Sequence, residues 1–457
     1  MKTVFITSFH ALISRNICMA GVPALLANTH RVVLLVPQEK VSYFAEEFGL
    51  PAGKAGGGEI IVEGVDTTLT RRDRLLRYAV LAITRTKGLA IKRRAKYAAG
   101  GNLLSYIGSA LPSALLRGAR PVVAALRFFD PLVLRSRRFA PLFAKYQPAL
   151  VFATDLQNEM DVRLLEEAKA RGVATAGMIR SWDNVSSKGL LRAVPALVVV
   201  HNESLKRQMI EKNFIPADTI AVVGIPHYDR YAEPAVTVRE DFFAPLGLDK
   251  NRKLVLFAPI GDRYIRDNKL DALILETLSR LDANILVRLP PTDTIAYLPV
   301  PNNRAHIVVQ KTGDRPWKNA HGGGASKLNE ITRQDEQTLI DSLYYADVLV
   351  TGQSTMVIDA AAFDTPSIII DFDTEPREYY DSMHRYYDYE YYPPVIQSGG
   401  VFVARSPEEL RILVESSLTD RALGHDGRMR LFAEQAGESG GGSAERLVEA
   451  LRSAIYS

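Results

Sequence analysis

Two groups of polar residues in this chain of 457 residues have the types and the spacing that chemistry requires. The first group is Gly352, Gln353, Ser354 and Thr355, which follow a short apolar run, with Asp359 one helical turn further on. Where a helix starts, unpaired N–H groups, the positive end of the helix dipole and hydroxyl groups converge, so phosphate is the natural ligand. The alternative is that Ser354 or Thr355 only caps the helix.

The second group lies in one loop, residues 180–189 with the sequence RSWDNVSSKG, which follows a predicted strand. Its carboxylate, Asp183, is a candidate general base, and Asn184 and Lys188 are candidates to hold an acceptor. A loop of this composition is also typical of an Asx turn with exposed charges, so both interpretations stay open.

Two further polar residues follow other predicted strands. Asp155 comes directly after the strand at residues 149–154, and His10 lies in the loop after the first strand. In an open parallel sheet the carboxyl ends of the strands share one edge, where ligands bind. We therefore expect Asp155, Asp183 and His10 at that edge as candidate catalytic bases. A histidine in a polar loop is also common as an ordinary surface residue.

Residues 332–373 are predicted to position the first group. Thr332 and Asp335 have the spacing of a capping box at the start of a helix. Residues 346–351 and 367–370 are short apolar runs typical of buried parallel strands, and a second helix lies between them. The segment therefore predicts a right-handed strand, helix, strand unit that begins after a first helix.

Strand and helix patterns alternate through the rest of the chain as well. Predicted strands lie at residues 4–7, 31–36, 149–154, 173–178, 254–258 and 285–289, and predicted helices at residues 15–26, 41–48, 159–171 and 270–281. This alternation indicates an α/β protein with doubly wound parallel sheets. A chain of this length is expected to form two domains. Residues 231–253 are predicted to be a linker, and residues 311–327 a surface loop.

The composition excludes several classes of protein. Hydrophobic residues make up 47% and charged residues 24% of the chain, as in an ordinary globular protein. The single cysteine, Cys18, excludes an internal disulfide framework and a cysteine-rich metal site. No compact set of metal-ligand carboxylates, dinucleotide glycine signature or Walker lysine is evident, so neither a metal nor a cofactor is predicted. No signal peptide or membrane span is evident, which predicts a cytoplasmic protein.

Residues 70–146 carry a large excess of positive charge, because they contain many arginines and lysines and only two acids, Asp73 and Asp130. Apolar residues interleave with the basic ones, so this cationic helical insert is expected to contact an anionic membrane surface. The protein would then be peripheral at the inner face of the cytoplasmic membrane. The alternative is that these helices pack on the domain core with a solvated basic face. Nucleic acid is not an expected partner, because no recognition motif accompanies the charge.

The amino-acid sequence around the first group of residues resembles a segment of a known family. Residues 346–369 read A-D-V-L-V-T-x-x-S-T-x-x-x-D-A-A-x-x-x-T-P-S-I-I. This pattern resembles the donor-site segment of bacterial GT-B glycosyltransferases and of the related CDP-glycerol glycerophosphotransferases. The resemblance implies that Ser354 and Thr355 meet the donor diphosphate and that Asp359 lies near the nucleotide sugar.

The resemblance extends to other segments. The loop at residues 180–189, with VVHNESLKRQMI and the Gly-Ile-Pro-His-Tyr-Asp segment at residues 224–229, is similar to the acceptor-side half of surface-polysaccharide transferases. The phosphotransferase relatives usually carry His-Pro at the edge of the second domain, where this chain has Pro290-Pro291. Without that imidazole, Arg288 or Arg263 would offset the charge of the leaving group.

The resemblance implies a GT-B fold with two doubly wound Rossmann-like domains facing a cleft. Residues 1–235 would form the acceptor-side domain, which contains the insert at residues 70–146, and residues 250–430 the donor domain. A final helix within residues 431–457 would cross back to the first domain.

The implied activity is metal-independent transfer of a sugar from a UDP-, GDP-, CDP- or CMP-linked donor. The acceptor would be lipid-linked or a polysaccharide, in bacterial cell-surface glycan synthesis such as capsule formation. The alternatives are a glycerol-phosphate or other polyol-phosphate transferase, a nucleotide-sugar 2-epimerase, and a degenerate membrane-associated scaffold without activity.

Overall fold

The computed structural model describes residues 1–50, 58–133, 137–232, 234–265, 268–290, 295, 298, 306–310, 330–437 and 441–456. The chain forms two compact units. The first unit contains Met1–Arg93, Asn102–Asp229 and Gly440–Ser457, and the second contains Arg94–Gly101 and Arg230–Ser439. Each unit has its own parallel sheet, so the chain is an α/β protein.

Seven parallel strands form the sheet of the first unit, in the order β3-β2-β1-β4-β5-β6-β7. They are β1 (Thr3–Thr7), β2 (Arg31–Pro37), β3 (Glu59–Val65), β4 (Leu150–Ala153), β5 (Ala174–Met178), β6 (Leu197–Val200) and β7 (Ile220–Val222). All residues of β1 and β4 are buried, because both faces of a doubly wound sheet are covered by other elements. Both strands were predicted from their apolar runs.

Most helices in the first half of the chain connect these strands. They are α1 (Ala11–Ile13), α2 (Val22–Ala27), α3 (Val41–Phe48), α4 (Arg71–Ile83), α5 (Lys87–Ala98), α6 (Leu103–Leu116), α7 (Arg120–Val133), α8 (Ala140–Tyr146), α9 (Glu159–Ala170), α10 (Asn184–Ser187) and α11 (Glu203–Asn213). Helices α4 to α8 occupy the basic segment between β3 and β4. None of the helices in the described part of the chain has the length and hydropathy needed to cross a membrane.

The helix predicted at residues 15–26 is not continuous. The structure has a π-helical turn at Ser14–Cys18 and then α2, which begins after Gly21. Gly21 has φ of +81°, in the left-handed region that glycine enters without steric cost. The apolar periodicity persisted across this break, which is why the sequence predicted a single helix.

The last helix of the chain, α20 (Ser443–Tyr456), packs within the first unit. Leu447, Val448 and Leu451 are buried in the same core cluster as residues of β1 and β2. The carboxylate of Asp229 accepts hydrogen bonds from the backbone N–H groups of Ser443 at 2.9 Å and Ala444 at 2.8 Å. Asp229, the last residue of the Gly-Ile-Pro-His-Tyr-Asp segment, therefore fixes where α20 begins.

Six parallel strands form the sheet of the second unit, in the order β10-β9-β8-β11-β12-β13. They are β8 (Leu254–Ala258), β9 (Asn284–Arg288), β10 (Ile307–Gln310), β11 (Val348–Thr351), β12 (Ser367–Ile370) and β13 (Val401–Ala404). The strand order reverses between β8 and β11, so the crevice for ligands is expected at the carboxyl ends of these strands.

The helices in the second half of the chain are shorter on average. They are α12 (Asp229–Ala232), α13 (Arg239–Phe243), α14 (Leu270–Leu278), α15 (Arg333–Tyr345), α16 (Met356–Ala362), α17 (Pro393–Gln397), α18 (Pro407–Thr419) and α19 (His425–Ala436). The predicted capping box is present, since Thr332 Oγ1 accepts from the N–H of Asp335 at 3.1 Å and Asp335 Oδ2 from that of Thr332 at 3.0 Å.

The segment predicted to be a linker is partly ordered against the second unit. Helix α13 buries Phe242 and Phe243, and the Phe242 ring stacks on Tyr345 with centroids 5.2 Å apart. The prolines and charges of this segment indicated a linker, but its two phenylalanines are buried and order it locally. The surface loop predicted at residues 311–327 lies outside the described residues, as does Pro291.

Candidate functional site

Polar side chains meet at the carboxyl ends of β4 and β5 in the first unit. We call this set the first-unit cluster; its members are His10, Asp155, Arg180, Asp183, Asn184 and Lys188. Asp155 Oδ2 accepts from Arg180 Nη1 at 2.7 Å and lies 3.6 Å from Lys188 Nζ. Lys188 Nζ in turn lies 3.1 Å from the amide oxygen of Asn184, whose amide nitrogen donates to Asp183 Oδ1 at 3.2 Å. These contacts join the members that follow β4 and β5, whereas His10 is linked to them only through the electrostatic effects of Arg180, Asp155 and Lys188.

The pKa shifts in the first-unit cluster follow from burial and from its cations. Burial raises the pKa of the Asp155 carboxyl, but Arg180 and Lys188 outweigh that effect and hold the pKa below its ordinary value. Burial and then the charge of Arg180 lower the pKa of His10 to about 3. At neutral pH Asp155 is therefore an anion fixed between two cations, and His10 is a neutral imidazole whose Nδ1 accepts from the N–H of Leu12 at 3.1 Å.

Asp183 has a different environment from Asp155. Its Oδ2 accepts from the hydroxyl of Ser187 at 3.0 Å, and its side chain is only partly buried. No cation is within salt-bridge distance of Asp183 among the described residues, because Lys188 is directed to Asp155 and Asn184. A partly exposed carboxylate without a paired cation is better suited to accept a proton than Asp155 is.

A buried acid lies next to the first-unit cluster. Asp161, in the first turn of α9, accepts a hydrogen bond from the hydroxyl of Thr7, which also lies 3.0 Å from the hydroxyl of Thr154. Burial raises the pKa of the Asp161 carboxyl well above its ordinary value. Through Thr7 and Thr154, the hydrogen bonds of Asp161 connect the ends of β1 and β4 to α9. The sequence analysis did not single it out, since an aspartate inside an amphipathic helix resembles an exposed residue.

The motif at residues 352–355 forms a compact turn after β11 in the second unit, which we call the Gly352 turn. Ser354 Oγ accepts from the N–H of Met356, the first residue of α16, at 3.2 Å. Thr355, the N-cap residue of α16, is exposed and makes no side-chain capping hydrogen bond. A Cβ at Gly352 would lie 2.7 Å from Ile260 Cγ1 and 3.4 Å from Met383 Cε. The absence of a side chain at Gly352 allows the loop after β8 and the segment around Met383 to approach this turn.

The other predicted donor residues of the second unit have distinct surroundings. Asp359 is buried and accepts from the hydroxyl of Tyr231 at 3.0 Å. Arg288 is buried and donates to Gln310 Oε1 at 2.8 Å and to the carbonyl of Asp335 at 3.0 Å, so its guanidinium has partners within the fold. Arg263 is exposed in the loop after β8. The roles of these three residues stay predictions.

The pair of His384 and Asp371 in the second unit was not predicted from the sequence. His384 lies in the tyrosine-rich segment after β12, and its Nδ1 is 3.0 Å and 3.1 Å from the two carboxylate oxygens of Asp371. Burial raises the pKa of the Asp371 carboxyl, and His384 acts in the opposite direction. The available signal was the position of Asp371 directly after β12; its partner, 13 residues later, follows no local pattern.

In the described part of the chain, no group of three or more histidines, cysteines or acids is placed to hold a metal ion. Metal independence stays a prediction, since it concerns the reaction and not only these residues.

Comparisons with known proteins give both fold and family. The UDP-GlcNAc 2-epimerase of Methanocaldococcus jannaschii is similar with a TM-score of 0.53 at 12% identity, over 99% of this chain and 100% of that one. The Staphylococcus aureus MnaA structure with UDP is similar with a TM-score of 0.51 at 10% identity, over 98% of this chain and 95% of that one. At these identities the similarity shows only the fold, which is of the GT-B type.

No curated protein sequence matches this one. The model of a sequence family, described as CDP-glycerol:poly(glycerophosphate) glycerophosphotransferase, does match, over residues 167–451. This match covers more than half of the chain and includes the loop at residues 180–189, the Gly352 turn and the segment that carries His384. The chain therefore belongs to the CDP-glycerol:poly(glycerophosphate) glycerophosphotransferase family.

Proposed function

We propose that this protein transfers a group from a nucleotide-diphosphate donor to a hydroxyl of a glycan or lipid-linked acceptor in cell-surface glycan synthesis. The observation that carries the proposal is the family match over residues 167–451, which supports a transferase-type enzyme. The family description names CDP-glycerol as donor, so polyol phosphate is the first candidate for the transferred group. A sugar is the second, because the chain shares its fold with a structure that holds UDP.

The two candidate reactions break different bonds. In polyol-phosphate transfer, the acceptor oxygen bonds to the phosphorus next to the polyol, and the bond to the bridging oxygen breaks, which releases CMP from a CDP-linked donor. In sugar transfer from a UDP- or GDP-linked donor, the acceptor oxygen bonds to the anomeric carbon, and UDP or GDP leaves. A base takes the acceptor proton in polyol-phosphate transfer and in sugar transfer that inverts the anomeric carbon. The released nucleotide therefore identifies the reaction.

The experiment is to incubate the full chain and a membrane-derived glycan acceptor with CDP-glycerol, or with UDP- and GDP-sugars, and to identify the nucleotide released. We expect CMP from CDP-glycerol. Release of UDP or GDP would instead establish a glycosyltransferase. An isomerised nucleotide sugar formed without acceptor would establish an epimerase. If none of the nucleotides binds in calorimetry and none is consumed, the proposal of an enzyme fails and a scaffold remains.

We assign the donor to the second unit and the acceptor side to the first. Thr355, which is exposed, and Ser354 would bind the donor phosphates, and Asp359 would lie near the ribose or sugar of the donor. Arg263 is exposed in the loop after the carboxyl end of β8, where it would bind a donor anion. In the first unit, Asn184 and Lys188 would orient the acceptor, whose proton goes to a carboxylate of the same cluster.

We also propose that helices α4 to α7 bind an anionic membrane surface. Helix α6 contains no charged residue, and its exposed apolar side chains are Leu103, Leu104, Ile107, Leu111, Leu115 and Leu116. Helix α7 exposes Phe128 and Phe129 to solvent by 67% and 58%. A surface with this many exposed apolar side chains is typical of a protein or membrane interaction site.

The charges of the basic segment support the same proposal. Its two acids, Asp73 and Asp130, are both buried and form ion pairs with Arg163 and Arg192 of the surrounding fold. The segment therefore keeps its acids inside while most of its arginines and lysines are exposed. A cationic and apolar surface of this kind fits the head groups and outer acyl region of an anionic bilayer.

Replacing Leu104, Leu111 and Leu115 together by aspartate is expected to lower binding to phosphatidylglycerol vesicles at least about tenfold, because burial of each leucine contributes on the order of 1 kcal/mol or more. Flotation of vesicles measures the binding. High salt should weaken wild-type binding without abolishing it, since only the charge contribution is screened. The control is Ile412→Asp, at another exposed apolar residue, on α18. Equal flotation of the triple variant and the wild type would exclude this surface as the membrane contact.

A further inference from the structure

We propose that His384, oriented by Asp371, is a catalytic residue that donates a proton or a charged hydrogen bond from Nε2 to the leaving phosphate of the nucleotide donor. This inference rests on the proposed transferase function and adds a residue to it. Four observations carry it: the geometry of the pair, the exposure of the imidazole, the rigid support of its backbone, and its place at the crevice of the second sheet.

The pair has the geometry of an oriented imidazole. Both oxygens of Asp371 lie within 3.1 Å of His384 Nδ1, so the proton of the imidazole is held on Nδ1 and the plane of the ring is restricted. The side chain of Asp371 is 12% exposed, whereas that of His384 is 58% exposed. Nε2 is left without a hydrogen-bond partner among the described residues and is open to solvent. It can therefore meet a ligand.

The backbone that carries His384 is held at several points. It lies in a short 3₁₀ helix, Met383–Tyr386, whose N-terminus is capped by Ser382, since Ser382 Oγ accepts from the N–H of His384 at 3.1 Å. Asp373 Oδ1 accepts from the N–H of Met383 at 3.1 Å. Arg385 is buried and donates to the carbonyl of Ser382 at 2.9 Å. An exposed imidazole on such a support loses little entropy when it binds a ligand.

The position of this support places the pair at the crevice expected from the strand order. Met383 Cε lies 3.4 Å from where a Cβ at Gly352 would be, and Ile260 Cγ1 lies 2.7 Å from the same point. The loop after β8, the Gly352 turn after β11 and the segment of His384 therefore converge. Asp371 itself directly follows β12, the neighbour of β11. These are the carboxyl ends of the strands next to the switch point, where open α/β sheets bind ligands.

The chemistry fits a leaving phosphate. When the acceptor oxygen bonds to the transferred phosphorus or carbon, the bond to the nucleotide oxygen breaks, and its electron pair stays on that oxygen. A protonated imidazole at Nε2 neutralises the new charge by transferring its proton or by a charged hydrogen bond, and Asp371 stabilises the imidazolium. The acceptor proton goes to a separate base. The imidazole regains its proton from water after the nucleotide has left.

The test compares His384→Gln and His384→Ala with a matched control. His425 forms a similar pair with Asp364, at 2.9 Å, and is 49% exposed. Asp364 precedes β12, whereas Asp371 follows it, so the two pairs lie at opposite ends of one strand. We expect kcat to fall about a hundredfold or more in both His384 variants, with a smaller change in donor KM, and no change in His425→Ala. Asp371→Asn should lower kcat less and shift the pH profile of the reaction.

A second readout does not depend on turnover. The imidazole signals of His384, assigned by their loss in His384→Gln, should shift in NMR spectra when CDP is added, while those of His425 stay unchanged. If the wild type transfers groups and both His384 variants keep full kcat, the inference is wrong and the proposed function stands. If no donor is turned over, the proposed function is wrong, and the CDP titration decides this inference alone: unchanged His384 signals overturn it.

Discussion

Asp183→Asn should lower turnover by about two to four powers of ten and leave donor affinity nearly unchanged, as expected for loss of a general base. The asparagine keeps the shape of the side chain and can still accept from Ser187, so the loop at residues 180–189 should remain folded. The measurement is kcat with saturating donor, together with the Kd for the nucleotide. The control is Asp218→Asn, at an exposed carboxylate outside the cluster.

The same experiment on Asp155 and His10 separates the three candidate bases. Asp155 is held as an anion by Arg180 and Lys188, with its pKa lowered, so Asp155→Asn should reduce turnover by displacing these cations and not by removing a base. His10 has its pKa lowered to about 3, which makes it a weak base, and His10→Ala should have the smallest effect. Full activity in all three variants would refute the assignment. For sugar transfer, a product with retained anomeric configuration would remove the need for such a base.

Ser354→Ala combined with Thr355→Ala should weaken nucleotide binding by about 1–3 kcal/mol, the scale of lost hydrogen bonds to a charged group. That loss corresponds to a roughly 5- to 150-fold higher Kd, measured by calorimetry with CDP. Because Ser354 Oγ also accepts from the N–H of Met356 at the start of α16, the double variant should lose about 1 kcal/mol of stability as well. Thr355→Ala alone should show most of the binding loss with this hydrogen bond intact.

The control for the donor-site variants is Ser406→Ala. Ser406 caps α18 in the same unit, where its Oγ accepts from the N–H of Glu409 at 3.0 Å. Its removal should cost similar stability and leave the Kd for CDP unchanged. An unchanged Kd in the Ser354 and Thr355 double variant would mean that these hydroxyls do not bind the donor phosphates.

The family match changes which of the functional alternatives is to be tested first. Sugar transfer was the first expectation from the donor-site motif, with polyol-phosphate transfer behind it. The motif alone does not separate the two, because a helix start with two hydroxyls binds the phosphates of either donor. The family match favours the polyol-phosphate reaction as the first to test, and the nucleotide released decides between them.

The sequence by itself determined the alternation of elements in both halves of the chain. Strands β8 and β12 have the predicted bounds, because a short buried run such as LVLFA or SIII is a local property of the sequence. The capping box of Thr332 and Asp335 was also predicted, since its two hydrogen bonds join residues three positions apart. Such features depend on neighbours in the chain, so the order of residues is enough to predict them.

Only the tertiary structure decided which side chains meet. Arg180 pairs with Asp155 because β4 and β5 are adjacent in the sheet, which no local pattern reveals. Arg288 is predicted from its place at a strand end to offset donor charge; the structure adds hydrogen bonds to Gln310 and to the carbonyl of Asp335, and its role toward a donor stays a prediction. His384 was missed because its partner precedes it by 13 residues, across a segment without periodicity. Contacts of this kind depend on strand order and loop path, which are set by the packing of the whole unit.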